Sequence, residues 1–192
     1  ASKKYATTEE TNDGFIAKFS INGTLKHSTY IGNTGNDYSN TISTEGDNFI
    51  VGGYSNSSTL TTLNDGTFYQ NTPGGAYDIY LTKFDTSCVM QWGTFMGDVS
   101  NDYIESIECK NYKIYACGYT QSTLFPVLNP GLGAYFQGTG IGGFDALIFT
   151  FKNCSNPTLT VAPTATICAG QNLTLTASSS SLNTFQWYGP AV

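Results

Sequence analysis

Few side chains in this 192-residue chain are of a type, and at a spacing, that could do chemistry. His27 is the single histidine, so no histidine cluster can take a metal. Its candidacy as a catalytic base is tested by the chain itself, because the equivalent residue 65 positions on is Trp92. A position that accepts either ring packs rather than reacts. Asp37 and Asp102 lie in GNTGNDY and GDVSNDY. Each loop offers only one or two carboxylates, short of the convergent oxygens that calcium needs. Asn-Asp before a strand reads instead as a turn whose side chain bonds its own backbone. Asp13, Asp78 and Asp145 precede a strand in three successive copies and read the same way. Asp65, Asp98, Glu105 and Glu108 each occur in one copy only, with no spacing that suggests an acid-base pair. No nucleophile elbow, phosphate loop or Cys-His pair is present. The expectation is a protein without catalytic residues, metal or cofactor.

The five cysteines, Cys88, Cys109, Cys117, Cys154 and Cys168, form no C-x-x-C pair. Without histidine partners zinc is not expected. Cys88 and Cys154 each follow the first strand of a hairpin and Cys109 precedes the turn of another, which puts all three at one rim. A disulfide is expected between Cys109 and Cys154, which belong to one blade, in an oxidising compartment. Cys117 replaces Gly52 of the earlier copy and reads as a buried thiol.

What positions these residues is internal repetition. Asp13 to Tyr54 recurs from Asp78 to Tyr119 at a constant offset of 65: Lys18-Phe19 becomes Lys83-Phe84, Gly32 becomes Gly97, Asn36-Asp37-Tyr38 becomes Asn101-Asp102-Tyr103. A third copy starts at an offset of 67, with Thr72, Gly75 and Asp78 recurring at Thr139, Gly142 and Asp145. Repetition on this scale sets the fold class ahead of local propensity. Each copy reads as four strands. Gly14 to Ser20 turns at Asn22-Gly23 into Leu25 to Ile31, and Tyr38 to Thr44 turns at Glu45-Gly46-Asp47 into Asn48 to Tyr54. A linker of about 20 residues then precedes the next cycle. A meander of this kind, with short and long connections alternating, reads as a β-propeller blade in preference to a β-sandwich or β-solenoid.

Composition agrees with an all-β chain: 21 glycines, 14% aromatic and only 11% charged residues. A formal charge of -6 with eight basic residues disfavours nucleic acid and anionic membrane as partners. No run approaches a transmembrane helix.

The pattern D-x-[FY]-[IL]-x-K-F, a turn, S/T-x-[YF]-[IM]-G, N-D-Y and [IY]-x-x-G-Y-[ST] resembles the bacterial SBBP β-propeller repeat. It is carried by Asp13 to Lys18, Thr29 to Gly32, Asn36 to Tyr38 and Ile50 to Ser55, and by their partners 65 residues later. Leu124-Phe125-Pro126 and Gly131 to Gln137 are similar to the spacer of that family. The resemblance spans roughly residues 5 to 153 and implies a propeller fold in a secreted or cell-surface protein, with no catalytic motif to transfer. ICAGQNLTLTA followed by FQWY is similar to the opening of a bacterial immunoglobulin-like domain.

The expected organisation is a partial β-propeller over 1–153, with repeats at 13–77, 78–144 and 145–153, followed over 154–192 by a linker and the start of an immunoglobulin-like β-sandwich. A little over two blades, a first residue that is not an initiator and an unfinished last domain suggest a piece of a longer chain supplying further blades. Residues 38–54 and 78–96 are expected in one sheet, with 103–119 opening the next. Linkers 55–77 and 120–143 are expected at the same end as loops 32–37 and 97–102. Their aromatic side chains, Tyr69, Tyr77, Phe125, Tyr135 and Phe136, are the expected ligand contacts, since rings beside amides suit sugar or peptide. The function expected is a scaffold or adhesin presenting loops to glycan or protein at the cell surface. The alternative is an accessory domain of a large secreted hydrolase whose active site lies elsewhere.

Overall fold

The computed structural model describes residues 12–152 apart from positions 47 and 112. The chain divides into two units, Ala1–Asn153 and Cys154–Val192. The expectations placed on 154–192, the immunoglobulin-like start and the cysteines Cys154 and Cys168, lie outside the described residues.

The described residues form nine strands and no helix: β1 Gly14–Phe19, β2 Leu25–Ile31, β3 Asp37–Glu45, β4 Asn48–Ser55, β5 Asp78–Phe84, β6 Met90–Met96, β7 Asp102–Lys110, β8 Lys113–Thr120 and β9 Asp145–Lys152. All pairing is antiparallel, in sheets ordered β1-β2, β3-β4-β5-β6 and β7-β8-β9. The grouping follows the sequence expectation. β4 and β5, separated by the long linker, pair over their whole length from Phe49↔Phe84 to Ser55↔Asp78, and 102–120 opens a new sheet.

Local chemistry explains the turns. Gly23 closes the first hairpin at φ +76°, where its N–H donates to the Ser20 carbonyl at 2.9 Å. Glycine enters that region without a Cβ penalty. In the next copy Cys88 holds the same place at φ +59°. The linker after β4 is not a free loop. Leu63 and Gly93 exchange both backbone hydrogen bonds and the Phe95 N–H donates to the Gln70 carbonyl, so the linker lines the outer edge of β6. An uncovered edge would invite pairing with other chains.

Alternating residues along each strand face opposite sides of a sheet, and the middle sheet uses both. Its back face, with Val51, Tyr80, Phe84 and Phe95, packs with Ile16 and Ile31 of the first hairpin. Its front face, with Ile50, Ile79 and Leu81, packs with Ile104, Ile107, Ile114 and Leu147 of the third sheet. Each such side chain taken fully from water contributes about 1.5–3 kcal/mol. Polar contacts fix the front junction: the Ile107 N–H donates to Thr41 Oγ1 at 3.1 Å and the Cys109 N–H to Ser43 Oγ at 2.9 Å. Gly52 lies in this junction with Ile104 against it, and a Cβ there would come within 3.3 Å of Ile104 Cδ1.

Cys117 departs from its expectation. It is exposed, because it lies on the front of the third sheet, a face that no described strand covers.

Candidate functional site

The loop-bearing end of the sheets is organised by four aspartates that repeat one contact. Asn33, Gly74, Asp98 and Ile141 each donate a backbone N–H to Oδ2 of the aspartate four residues later, Asp37, Asp78, Asp102 and Asp145, at 2.8, 2.6, 3.0 and 2.7 Å. The carboxylate thereby holds the last turn of each loop against the first residue of the following strand. Across the strand pair, Ser55 Oγ donates to Asp37 Oδ1 and Thr120 Oγ1 to Asp102 Oδ1, and the same two hydroxyls accept the N–H groups of Ser57 and Ser122. Asp13 lies against Gly32, where a Cβ would come within 2.1 Å of its Oδ1. Burial raises the carboxyl pKa of Asp37 and Asp102 above the ordinary value and raises that of Asp78 to about 6, with the charge of Asp102 adding to the burial at Asp78.

An aromatic residue adjoins each clamp, Tyr38 and Tyr103 immediately after Asp37 and Asp102, and Tyr77 and Phe144 immediately before Asp78 and Asp145. Tyr38 pairs with Tyr54 across β3 and β4, and Tyr103 with Tyr119 across β7 and β8. Tyr77 and Phe144 precede β5 and β9 at the equivalent phase. The result is one aromatic set of three per sheet, and the two sets join. Ring centroids are 4.6 Å apart for Tyr38–Tyr54, 5.7 Å for Tyr54–Tyr77, 4.7 Å for Tyr54–Tyr103, 6.1 Å for Tyr77–Tyr103, 5.0 Å for Tyr103–Tyr119 and 5.4 Å for Tyr119–Phe144. These separations lie in the range where offset and edge-on ring pairs attract.

The backbone makes room for this strip. Gly53 and Gly118 sit beside a strand irregularity, and a Cβ would fall 1.6 Å from the Tyr38 carbonyl oxygen at the first and 2.0 Å from the Tyr103 carbonyl oxygen at the second. Glycine at both lets the strands carrying each tyrosine pair approach.

The five tyrosines are half-buried and Phe144 is exposed, so the strip keeps one face to water. Burial and mutual proximity raise the phenol pKa values of Tyr54 and Tyr103, which keeps both neutral and able to donate near neutral pH. Amides flank the rings: Asn12 Nδ2 donates to Tyr38 Oη at 3.0 Å, Asn36 Nδ2 to Tyr77 Oη at 3.2 Å and Asn101 Nδ2 to Gln121 Oε1 at 2.8 Å. Stacked phenols rimmed by amides can take an apolar face and its hydroxyls or peptide groups together.

The linkers do reach this end, as the sequence suggested. Asn56 and Gln121 donate backbone N–H groups to the carbonyls of Asn36 and Asn101, and Asn33 Nδ2 donates to the Thr59 carbonyl at 2.7 Å. Their aromatic residues do not form one site. Tyr77 belongs to the strip. Phe125 is buried in the core between the second and third sheets, which corrects its assignment as a ligand contact: apolar burial won over exposure in the linker. Tyr69 is partly exposed and bonded through its hydroxyl to Thr62 Oγ1 at 3.0 Å, Tyr135 is largely exposed, and Phe136 is partly exposed. No ring contact among the described residues joins these three to one another or to the strip.

Tyr38, Tyr54, Tyr103 and Tyr119 were missed as site residues. Their recurrence at one phase, each pair at the loop-side end of a hairpin, was the signal that could have found them.

His27 is half-buried with no hydrogen bond at Nε2, while Trp92, its equivalent, is buried and donates Nε1–H to the Phe68 carbonyl. Among the described residues no group of three or more His, Cys, Asp or Glu could hold a metal ion, and no helix is long and apolar enough to cross a membrane. No protein-family model matches the chain, and none of the curated proteins matches it.

Proposed function

We propose that this chain is a non-enzymatic β-propeller module of a secreted or cell-surface protein, of the SBBP-repeat kind, with residues 154–192 opening an immunoglobulin-like domain. Its role is that of a scaffold or adhesin, and the surface it presents is the tyrosine strip at the loop-bearing end. The observation that carries the reading is the continuous set of six half-exposed rings from Tyr38 to Phe144, built from repeated positions and edged with asparagines. Constancy of the four-strand phase supports the propeller, and the negative charge supports a neutral ligand over a polyanion. A glycan would stack its apolar sugar faces on the phenols and bond its hydroxyls to the amides; a protein would place aromatic or proline side chains there.

The test is a glycan and protein-ligand array probed with the chain, followed by calorimetry on each hit with Tyr54→Ala, Tyr103→Ala and Tyr135→Ala. The expected result is a loss of about tenfold or more for the first two, equivalent to about 1.4 kcal/mol, and no change for the third. Binding that survives both strip substitutions with the fold intact would remove the strip as the ligand surface.

A further inference from the structure

The charges of the described residues are sorted along the strands. All eight basic residues of the chain are lysines, and Lys3 and Lys4 lie outside the described residues. The other six, Lys18, Lys26, Lys83, Lys110, Lys113 and Lys152, lie at the short hairpin end of the sheets, opposite the long linkers, with Glu45, Asp85 and Glu108 among them. The loop-bearing end holds Asp37, Asp78, Asp98, Asp102 and Asp145 and no described lysine. Each described lysine is at least four residues along its strand from that end, about 13 Å at the rise of a β-strand. That exceeds the Debye length of about 8 Å at physiological salt, so charge at one end does little to cancel charge at the other. Net charge argues only against a polyanion; its placement argues for a cation.

These carboxylates are held by neutral donors. The Asn33 N–H and the Ser55 hydroxyl bond Asp37, the Gly74 N–H and Gln70 Nε2 bond Asp78, and the Asp98 N–H with the Thr120 and Ser122 hydroxyls bonds Asp102. Such bonds orient a carboxylate and leave its charge in place. Two buried oxygens beside Gly97, Asp78 Oδ1 and Asp98 Oδ2, have no hydrogen-bond partner. Asp78, raised to about 6 by burial, is still mostly ionised above pH 7. The same residues adjoin the centre of the strip. Asp78 follows Tyr77 and Asp102 precedes Tyr103, and after burial and the neighbouring phenols the Asp102 charge helps to raise the Tyr103 pKa. Tyr54, Tyr77 and Tyr103 stand 4.7–6.1 Å apart by ring centroid. The negative face of a phenol ring attracts a cation within about 6 Å of its centroid, so a cation at this centre is in reach of more than one ring.

We infer that the tyrosine strip takes a basic segment of a partner protein, extended across the rings with arginine or lysine at alternate positions, its cations seated on the phenol faces beside the aspartates. The inference rests on the strip being the ligand surface and names what that surface selects. Alternate residues of an extended chain face one side. The path Tyr38–Tyr54–Tyr103–Tyr119 advances by 4.6, 4.7 and 5.0 Å. Four or five extended residues cover that path of about 14 Å and bring two or three cations to it. Arginine suits it better than lysine, because a planar guanidinium stacks on a ring and is more weakly hydrated than an ammonium. A neutral sugar stacks on the same rings and makes no use of the carboxylate charge.

The test is calorimetry of the 192-residue chain with an acetylated, amidated heptapeptide carrying arginine at alternate positions and serine elsewhere, and with its citrulline and glutamate counterparts, at about 20 and about 150 mM salt. Citrulline keeps the flat head group and loses the charge. The arginine peptide is expected to bind about tenfold or more tighter than the citrulline peptide at the lower salt, and the glutamate peptide not to bind. Tyr103→Ala is expected to weaken the arginine peptide about tenfold or more. Asp78→Asn combined with Asp98→Asn is expected to weaken it about fivefold; the first keeps an acceptor for the Gly74 N–H and the second leaves the Asp98 N–H in its clamp. Equal binding of the arginine and citrulline peptides, lost in a folded Tyr103→Ala chain, would overturn the choice of a cation and leave the strip as the ligand surface. Arginine binding that survives Tyr103→Ala would overturn both. No binding of the arginine peptide at millimolar concentration, or binding of a chitosan oligomer in its place, would overturn the basic protein segment. Should Tyr103→Ala not fold, the paired aspartate substitution decides, and unchanged affinity there overturns the inference.

Discussion

Asp78 is the carboxylate whose charge this fold opposes most. It is buried, with Oδ2 accepting the Gly74 N–H and a longer bond from Gln70 Nε2, and with no hydrogen-bond partner at Oδ1. Asp102 approaches from the next sheet, and only Gly97 separates the two: a Cβ there would stand 2.5 Å from Asp78 Cγ and 2.7 Å from Asp102 Oδ2. Burial first, then the Asp102 charge, raises the pKa from 3.8 to about 6. Below about pH 4 the group is protonated in folded and unfolded chains alike, and its contribution to stability is fully present. Between about pH 4 and 6 only the unfolded chain ionises, so stability falls; above 6 both states are charged and the deficit is constant. A shift of about two units corresponds to about 3 kcal/mol, which water at the loop-bearing end screens to roughly 1–2 kcal/mol. Asp37 and Asp102, also raised by burial, act with the same sign. Asp78→Asn keeps an acceptor for the Gly74 N–H and cannot ionise. Urea midpoints followed by far-UV circular dichroism from about pH 4 to 7 are expected to show the variant gaining on the wild type by roughly 1–2 kcal/mol as pH rises. Parallel pH profiles for the two proteins would refute the reasoning.

Three further outcomes follow from the same geometry. Gly53→Ala and Gly118→Ala place a Cβ against a backbone carbonyl oxygen, so each is expected to lose about 3 kcal/mol or more in thermal unfolding; an unchanged midpoint would mean the strands do not approach as described. Phe125→Ala is expected to lose about 3–5 kcal/mol as a core truncation, and Tyr135→Ala to stay within about 0.5 kcal/mol, measured by urea denaturation; equal effects would return Phe125 to the surface. In dilute protein, Cys117 is expected to react with maleimide well before Cys88, whose thiol is buried and whose pKa that burial raises; mass spectrometry of partly labelled chains reads the order, and the reverse order would contradict the exposed front face.

The strand pattern was legible because hairpin turns and two-residue alternation are local, and because the second copy checks the first. The grouping of 37–55 with 78–96 across a long linker was legible for the same reason, since a phase-locked repeat ties residues that local propensity cannot relate. Individual burial was not. Phe125 and Tyr135 stand in one linker with similar composition, and only the neighbouring sheets decide that the first enters the core while the second faces water. Cys117 was misjudged by reading its strand and not its sheet: Gly52 is enclosed because a further sheet lies in front of it, and no described strand stands in front of Cys117. The tyrosine strip was visible as recurring letters, but its continuity depends on Tyr54 meeting Tyr103 between sheets, a contact no single repeat contains.

The aspartate clamp also bears on how such a chain can change length. Each clamp grips the N–H four residues before it, so only the last few residues of a connection are tied to the strand that follows. The 67-residue spacing of the third copy, against 65 for the second, shows the arrangement at work: Ile141 and Asp145 repeat the contact of Gly74 and Asp78 although two residues have been added upstream. Gly131 and Gly133, both at positive φ with nothing within 4 Å of an added Cβ, lie in the stretch left free. Insertions there would lengthen the linker without shifting the register of β9, and sequence drift can accumulate in that stretch while the sheets keep their phase.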